Sequence, residues 1–178
     1  VLIEVNDELE PTIVDVPTRI VECNESTDPA VICGITAVDN CSDVSLVFSD
    51  STVAGTCQDT FVERIFRTWV AEDDFGNQEI AVQEVIVLRA DLEEVLFPGD
   101  VELDGCGNVN TDPSATGEPT LFGQPVANGG LCGFQVFSTD QVNGGSCEGE
   151  TTILRQWTVL DDCSNEIETH NQVITIAD

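Results

Sequence analysis

Oxygen-bearing side chains gather at two kinds of place in this sequence, and the chemistry they suit is the binding of a hard divalent cation. Asp39, Asn40 and Asp43 crowd one loop end, and Asp73, Asp74 and Asn77 crowd another. Two connectors hold the rest: Asn6, Asp7, Glu8 and Glu10, then Asp91, Glu93 and Glu94. Calcium takes six to eight oxygens from carboxylates, carbonyls and water. Asp7, Glu8, Asp39, Asn40, Asp43, Asp73, Asp74, Asn77, Asp91 and Glu93 are therefore candidate calcium ligands, and calcium is the only cofactor the sequence suggests. A cation at a connector would pin neighbouring bodies end to end. The competing reading is that Asp and Asn cap turns by bonding their own backbone. No EF-hand spacing is present.

The eight cysteines are the second chemical resource. They divide four and four: Cys23, Cys33, Cys41 and Cys57, then Cys106, Cys132, Cys147 and Cys163. None forms a Cys-x-x-Cys pair and the single His170 has no cysteine near it, which disfavours zinc and favours disulfides in an oxidising compartment. Matching the halves pairs Cys23 with Cys57 and Cys106 with Cys147 as a shared bond. The unmatched cysteines then give Cys33–Cys41 and Cys132–Cys163. In chain-entropy terms each closed loop contributes about 3–4 kcal/mol.

Catalysis finds little support. His170 lies mid-strand with no Ser or Cys nucleophile repeated around it, so a triad has no basis and a strand-surface histidine is the expectation. Nothing among the 34 acids selects a carboxylate pair of the glycosidase kind, and the chain is expected not to be an enzyme. Arg67 and Arg155 lie at matching positions beside Trp69 and Trp157. A core-facing arginine needs a carboxylate, because an unpaired buried charge costs several kcal/mol. The expected partner is an aspartate of the Asp73-Asp74 or Asp161-Asp162 turn, with the guanidinium stacked on the indole.

Five arginines, no lysine and 34 acidic residues leave a formal net charge of −29. Such a surface repels nucleic acid and anionic headgroups and favours solubility and divalent cations. No apolar run approaches the roughly 20 residues of a membrane span. Asn24-Glu25-Ser26 and Asn40-Cys41-Ser42 match the N-glycosylation pattern, and Asp50-Ser51-Thr52 resembles an O-glycosylation acceptor; patterns this short are weak.

The elements that must position these residues are strands. Arg67-x-Trp69, Asp73-Asp74 and Asn77 return 88 residues later as Arg155-x-Trp157, Asp161-Asp162 and Asn165, and these are the only tryptophans. One unit has been written twice. Ile65, Arg67, Trp69 and Ala71 alternate onto one face of a strand, as do Ile153, Arg155, Trp157 and Val159. Asp28-Pro29 and Asp112-Pro113 mark turns, and no stretch has a helical period with caps. Short strands every 8 to 12 residues argue for two small sandwiches. The boundaries read as residues 1–10 for a trailing strand and acidic connector, 11–90 for the first repeat and 91–178 for the second. Val1, Leu2, Ile3 and Val5 form either the last strand of a preceding copy or a strand lent to a neighbouring molecule.

With these residues assembled, the chain resembles the HYR-like, immunoglobulin-like repeats of long bacterial cell-surface adhesins and secreted fibre proteins of gliding, marine-type bacteria. The resemblance rests on the strand into cysteine, Ala37-Val38-Asp39-Asn40-Cys41, Gly55-Thr56-Cys57, Arg-x-Trp, and Asp73-Asp74-Phe75-Gly76-Asn77. It departs where Phe75 stands for an expected cysteine, where Ser164 stands for glycine, and where residues 122–131 interrupt the Asp-Asn-Cys loop. It implies surface display, tandem repetition and adhesive duty, and brings no catalytic residues.

The sequence thus reads as all-β, two tandem disulfide-stapled immunoglobulin-like sandwiches serving as a rigid spacer of an extracellular fibre or cell-surface adhesin. Its partners would be neighbouring repeats or copies of the same protein, and surface glycans, without nucleic acid or membrane insertion. The alternatives are a non-covalent filament subunit that donates residues 1–5 to a neighbour's sheet, and a carbohydrate-binding accessory module of a secreted enzyme, which two tryptophans and no tyrosine disfavour.

Overall fold

The structure, a computed structural model, describes residues 6–32, 34–105, 109–144 and 151–177. Val1, Leu2, Ile3 and Val5 lie outside the described residues, as do Cys33, Cys106 and Cys147.

Period-two patterning and Gly/Asp turns give an all-β chain of two tandem immunoglobulin-like sandwiches stapled by disulfides. The first compact unit ends at Arg89 and the second begins at Ala90. The first contains β1 (Thr12–Val14), β2 (Arg19–Val21), β3 (Thr36–Val38), β4 (Val44–Ala54), β5 (Phe61–Asp73) and β6 (Gln78–Leu88). The second contains β7 (Val95–Leu96), β8 (Val101–Asp104), β9 (Thr120–Leu121), β10 (Gln124–Pro125), β11 (Phe134–Asn143), β12 (Thr151–Asp161) and β13 (Ile167–Ala177).

The duplication is explicit in the topology. The main sheet runs β2-β6-β5-β4 in the first unit and β8-β13-β12-β11 in the second. In both, three long antiparallel strands are joined at one edge by a short strand lying parallel to the last one. The facing layer is smaller: β1 with β3 in the first unit, and β7-β9-β10 in the second.

The tryptophan strands bury the face that alternation assigns to the core. Ile65, Arg67, Trp69, Ala71 and Asp73 are buried on β5, and Ile153, Arg155, Trp157 and Val159 on β12. Ile13 and Ala37 of the small sheet close over Trp69 and Ala71, with Val16, Ile35, Val44, Leu46 and Ala81 around them. Covering one face of each sheet in this way is what makes so small a unit a sandwich.

The expectation of no helix is corrected. Asp28-Pro29 and Asp112-Pro113 open one-turn helices, α1 (Pro29–Ile32) and α2 (Pro113–Thr116), and Leu92–Glu94 forms a 3-10 turn. Proline suits a first helical position because its missing N–H would have no partner there. The Asp28 carbonyl accepts Val31 N–H (2.9 Å) and Ile32 N–H (3.0 Å), and that of Asp112 accepts Ala115 N–H (2.8 Å) and Thr116 N–H (3.0 Å). A single turn is too short for a 3.6-residue period to register.

The two turns that follow the tryptophan strands differ by one residue. Glu72 pairs with Gln78 at the end of the first hairpin, and Leu160 with Ile167 in the second. Gly76 supplies the left-handed residue in the first turn (φ 87°), whereas Ser164 stands in the second and Asn165 takes that conformation (φ 59°). Glycine and asparagine are the residues that accept it most readily.

Candidate functional site

Two constellations stand out: a buried polar row repeated in both units, and an acidic cluster in the first.

In the row, strand register sets three residues side by side. Asp50 faces Arg67 across β4 and β5, and Arg67 faces Gln83 across β5 and β6. Asp140, Arg155 and Gln172 repeat the arrangement. The Arg67 guanidinium donates Nε to Asp50 Oδ1 (2.8 Å) and Nη2 to Asp50 Oδ2 (2.8 Å). Arg155 does the same toward Asp140, at 2.7 and 2.8 Å. Both arginines are almost wholly buried, while the aspartates keep about a third of their side chains exposed. The bond from Arg155 holds the Asp140 carboxyl below the usual carboxylate range and, reciprocally, raises the Arg155 pKa.

The carboxylate partner of each arginine is therefore a cross-strand neighbour and not an aspartate of the following turn. The stacking expectation changes too. Arg155 lies 5.7 Å from the Trp157 ring, but Arg67 sits over Phe48 at 4.9 Å, and Phe48 in turn lies 5.2 Å from Trp69.

The Thr-Asp-Pro segments complete the row. Arg67 Nη2 donates to the Thr27 carbonyl (3.0 Å), and Arg155 Nη2 to the Thr111 carbonyl (2.7 Å). Arg155 Nη1 also reaches Thr116 Oγ1 at 2.8 Å. The one-turn helices thus fix the carbonyls that a buried guanidinium requires. Gln83 and Gln172, missed by the sequence reading, accept the indole N–H of Trp69 (3.3 Å) and Trp157 (3.2 Å). This row is structural: every named donor is turned inward to a partner.

His170 is corrected as well. It faces Trp157 across the strands on the inner side, half-buried, and stacks on Phe97 with ring centroids 5.2 Å apart.

Among the cysteines, Cys23, Cys57, Cys132 and Cys163 are disulfide-bonded. Cys41 is a free, exposed thiol, so the expected Cys33–Cys41 bond is not made. Its loop is closed by hydrogen bonds instead: Asp39 Oδ2 accepts Cys41 N–H (2.8 Å) and Ser42 N–H (3.0 Å). Local desolvation, and then the Asp7 carboxylate beside it, push the Cys41 thiol up in pKa.

Of the candidate calcium ligands, the fold brings together Asp7, Asp39 and Asp73. They come from the entering connector, the loop after β3 and the end of β5, and one ligand atom from each lies within 4.8 Å of the others. Asp73 organises its turn: Oδ1 accepts Phe75 N–H (2.9 Å) and Asn77 N–H (2.8 Å), and Oδ2 accepts the Asn77 amide (2.7 Å). Burial pushes its pKa up, but the Asn77 side chain and the turn's N–H groups outweigh this and hold it below the usual range. The Cys41 N–H bond leads the lowering of Asp39. Asn77 also donates to the Asp7 carbonyl (3.2 Å), tying the connector to the turn.

The other candidates are not part of this group. Glu8 accepts from Asn6 at 3.4 Å, and Asp91 and Glu93 belong to the 3-10 turn of the second unit, where the Asp91 N–H bonds Glu94. Asn40 borders a shallow cleft with Leu9, Glu10, Thr12, Val38 and Asp39. Asp43 and Asp74 stay at the loop ends: Ser42 Oγ donates to the Asp43 carbonyl (3.4 Å), and Asp74 N–H donates to Ser42 Oγ (3.3 Å).

No protein-family model and no curated protein matches this sequence. Among solved structures it is similar to the crystal structure of human mucin-like protocadherin EC1-2, with 9% identity and a TM-score of 0.33, covering 94% of this chain and 97% of that one.

Proposed function

We propose that this chain is a structural, adhesive repeat module that acts as a rigid spacer in an extracellular fibre or surface protein of the HYR-like kind, with neighbouring repeats or copies of itself as partners and no catalytic role. The observation that carries the reading is the parallel pairing of the edge strand with the last strand in each unit, β2 with β6 and β8 with β13. Each edge strand lies beside the exit end of the last strand, Arg19 with Val85 and Val101 with Ile174, whereas the connector enters the first unit at the opposite end of β6, where Asn77 in the turn before it holds the Asp7 carbonyl (3.2 Å). The first unit is thus entered at one end of β6 and left at the other, adding its full length to an array.

The same pairing resists extension. Tension applied along a pair of parallel strands through the start of one and the end of the other loads their hydrogen bonds together in shear. Disulfides at Cys23, Cys57, Cys132 and Cys163 limit how much chain can pay out once a sheet yields, and bonds of this kind persist in oxidising, extracellular surroundings. Among the described residues no helix is long and apolar enough to cross a membrane. The formal charge of −29 keeps such an array soluble and extended by self-repulsion.

Single-molecule stretching of the whole chain tests the reading. Two discrete rupture events are expected, with more released length per event after reduction of the disulfides. Smooth extension at low force, without rupture peaks, would exclude a load-bearing spacer.

A further inference from the structure

We infer that the first unit carries one calcium site, formed by Asp7, Asp39 and Asp73, through which the cation fastens the entering connector to two loops at the same pole. The three carboxylates converge within 4.8 Å, and none of the ion pairs among the described residues involves them. Like charges this close repel unless something positive lies between them.

A second observation is independent of that convergence. Asp7 is 8% exposed; its Oδ1 accepts Leu9 N–H at 3.0 Å, while its Oδ2 is fully buried and accepts no N–H or O–H, leaving only the weakly donating Cys41 thiol beside the carboxylate. A buried carboxylate oxygen so poorly partnered is costly. The connector nevertheless holds it against two more carboxylates, and a cation at that point removes both costs at once.

The donor set selects the ion. Three carboxylates offer hard oxygen ligands with coordination places left for water, which suits Ca2+ with its flexible six- to eight-fold shell better than the compact octahedron of Mg2+. Among the described residues the second unit does not repeat the site. Gly130 stands, two residues before Cys132, where the first unit has Asp39 two residues before Cys41. Asp161 accepts Cys163 N–H (2.7 Å) and Ser164 Oγ (3.0 Å) within its own turn. The chain therefore contains its own control.

Equilibrium dialysis of the full chain against radioactive Ca2+, in enough NaCl to screen diffuse binding by the acidic surface, tests this directly. One saturable site is expected, with a dissociation constant of about 10⁻⁴–10⁻³ M, as in other extracellular modules. Asp7→Asn should weaken it at least roughly tenfold, because the lost charge belongs to the buried ligand, whereas Asp161→Asn should leave it unchanged. Should Asp7→Asn fail to fold, Asp39→Asn serves instead, since asparagine Oδ1 can still accept the Cys41 and Ser42 N–H groups. Absence of saturable binding at about 10 mM Ca2+, well above that range, would overturn the site. So would binding that Asp7→Asn leaves intact. Tighter binding of Zn2+ that disappears in Cys41→Ser would overturn the choice of ion.

Discussion

Gln172 holds Trp157 by accepting its indole N–H at 3.2 Å, and the same amide donates to the Gly99 carbonyl (2.9 Å) and the Thr116 carbonyl (2.7 Å). One side chain thus ties the central strand, the segment leading into β8 and the end of α2 together inside the second unit. In the first unit Gln83 bonds Trp69 (3.3 Å) and the Pro17 carbonyl (3.1 Å). Replacing Gln172 by leucine keeps the volume but takes the partner from two buried groups, the Trp157 indole N–H and the Thr116 carbonyl, and from the more exposed Gly99 carbonyl. A loss of about 2–4 kcal/mol is expected, since each such group costs roughly 1–3 kcal/mol. Gln83→Leu should also destabilise, by at least about 1–3 kcal/mol. Urea unfolding followed by tryptophan fluorescence checks both losses, because each unit contains one tryptophan.

The Arg–Asp pairs should respond asymmetrically to losing either partner. Arg155 is buried and Asp140 is about one-third exposed. Asp140→Asn leaves a desolvated guanidinium short of its counter-charge and should cost about 2–4 kcal/mol. Arg155→Met leaves a carboxylate that water can reach and puts an apolar chain in the cavity, so it should cost less. Thermal unfolding of the two variants is the comparison; equal losses would mean that Asp140 is less well hydrated than its exposure indicates.

Much of this was legible in the sequence because strands advertise themselves by alternation. The buried faces of β5 and β12, the duplication and the inward arginines all follow from residue spacing. The partner of each arginine was not legible, because it depends on cross-strand register. That register is set by the path from β4 to β5, and Asp50 lies 17 residues before Arg67 while Asp140 lies 15 before Arg155. The glutamines were hidden by the extra residue in the second hairpin turn: Gln83 and Gln172 are 89 apart while the tryptophans are 88 apart. Allowing one shift at the Ser164 turn would have aligned them. Convergence of Asp7 with Asp39 and Asp73 is a tertiary fact that three distant stretches of sequence cannot announce.

Acid stability follows from the lowered carboxylates. Asp140 is held down by the Arg155 bond, Asp59 chiefly by the Thr56 N–H, and Asp39 chiefly by the Cys41 N–H. A group whose folded pKa is depressed contributes stability that is present above its unfolded value of about 3.9 and is lost as pH falls through the folded one. The melting temperature should therefore hold steady down to about pH 5 and fall below about pH 4. Relief of self-repulsion among the acidic side chains works the other way over the same range. In about 1 M salt, where the screening length is near 3 Å, that opposing effect shrinks and the acid limb should steepen. Asp140→Asn should flatten the limb without moving its upper end.

Gly55 offers a test of the β4–β5 connection that does not involve charge. A Cβ built on it would lie 2.2 Å from the Phe61 carbonyl oxygen and 3.1 Å from the Phe61 carbonyl carbon. Both are backbone atoms, so no side chain can rotate away to make room. The Gly55 N–H meanwhile donates to the Val62 carbonyl at 2.8 Å, which holds the two backbones in close approach. Arg89 reinforces the loop from the far end of β6, donating to the carbonyls of Thr56 (3.0 Å) and Asp59 (3.1 Å). Gly55→Ala must either break that contact or displace the loop that contains Cys57. Overpacking of this kind costs roughly 1–3 kcal/mol, and the upper end is expected because the clash is with main chain. Hydrogen exchange of the amide at this position, compared between the wild type and the Gly55→Ala variant, locates the damage. Protection should be lost there and at the start of β5, while β12 and β13 in the second unit remain unchanged.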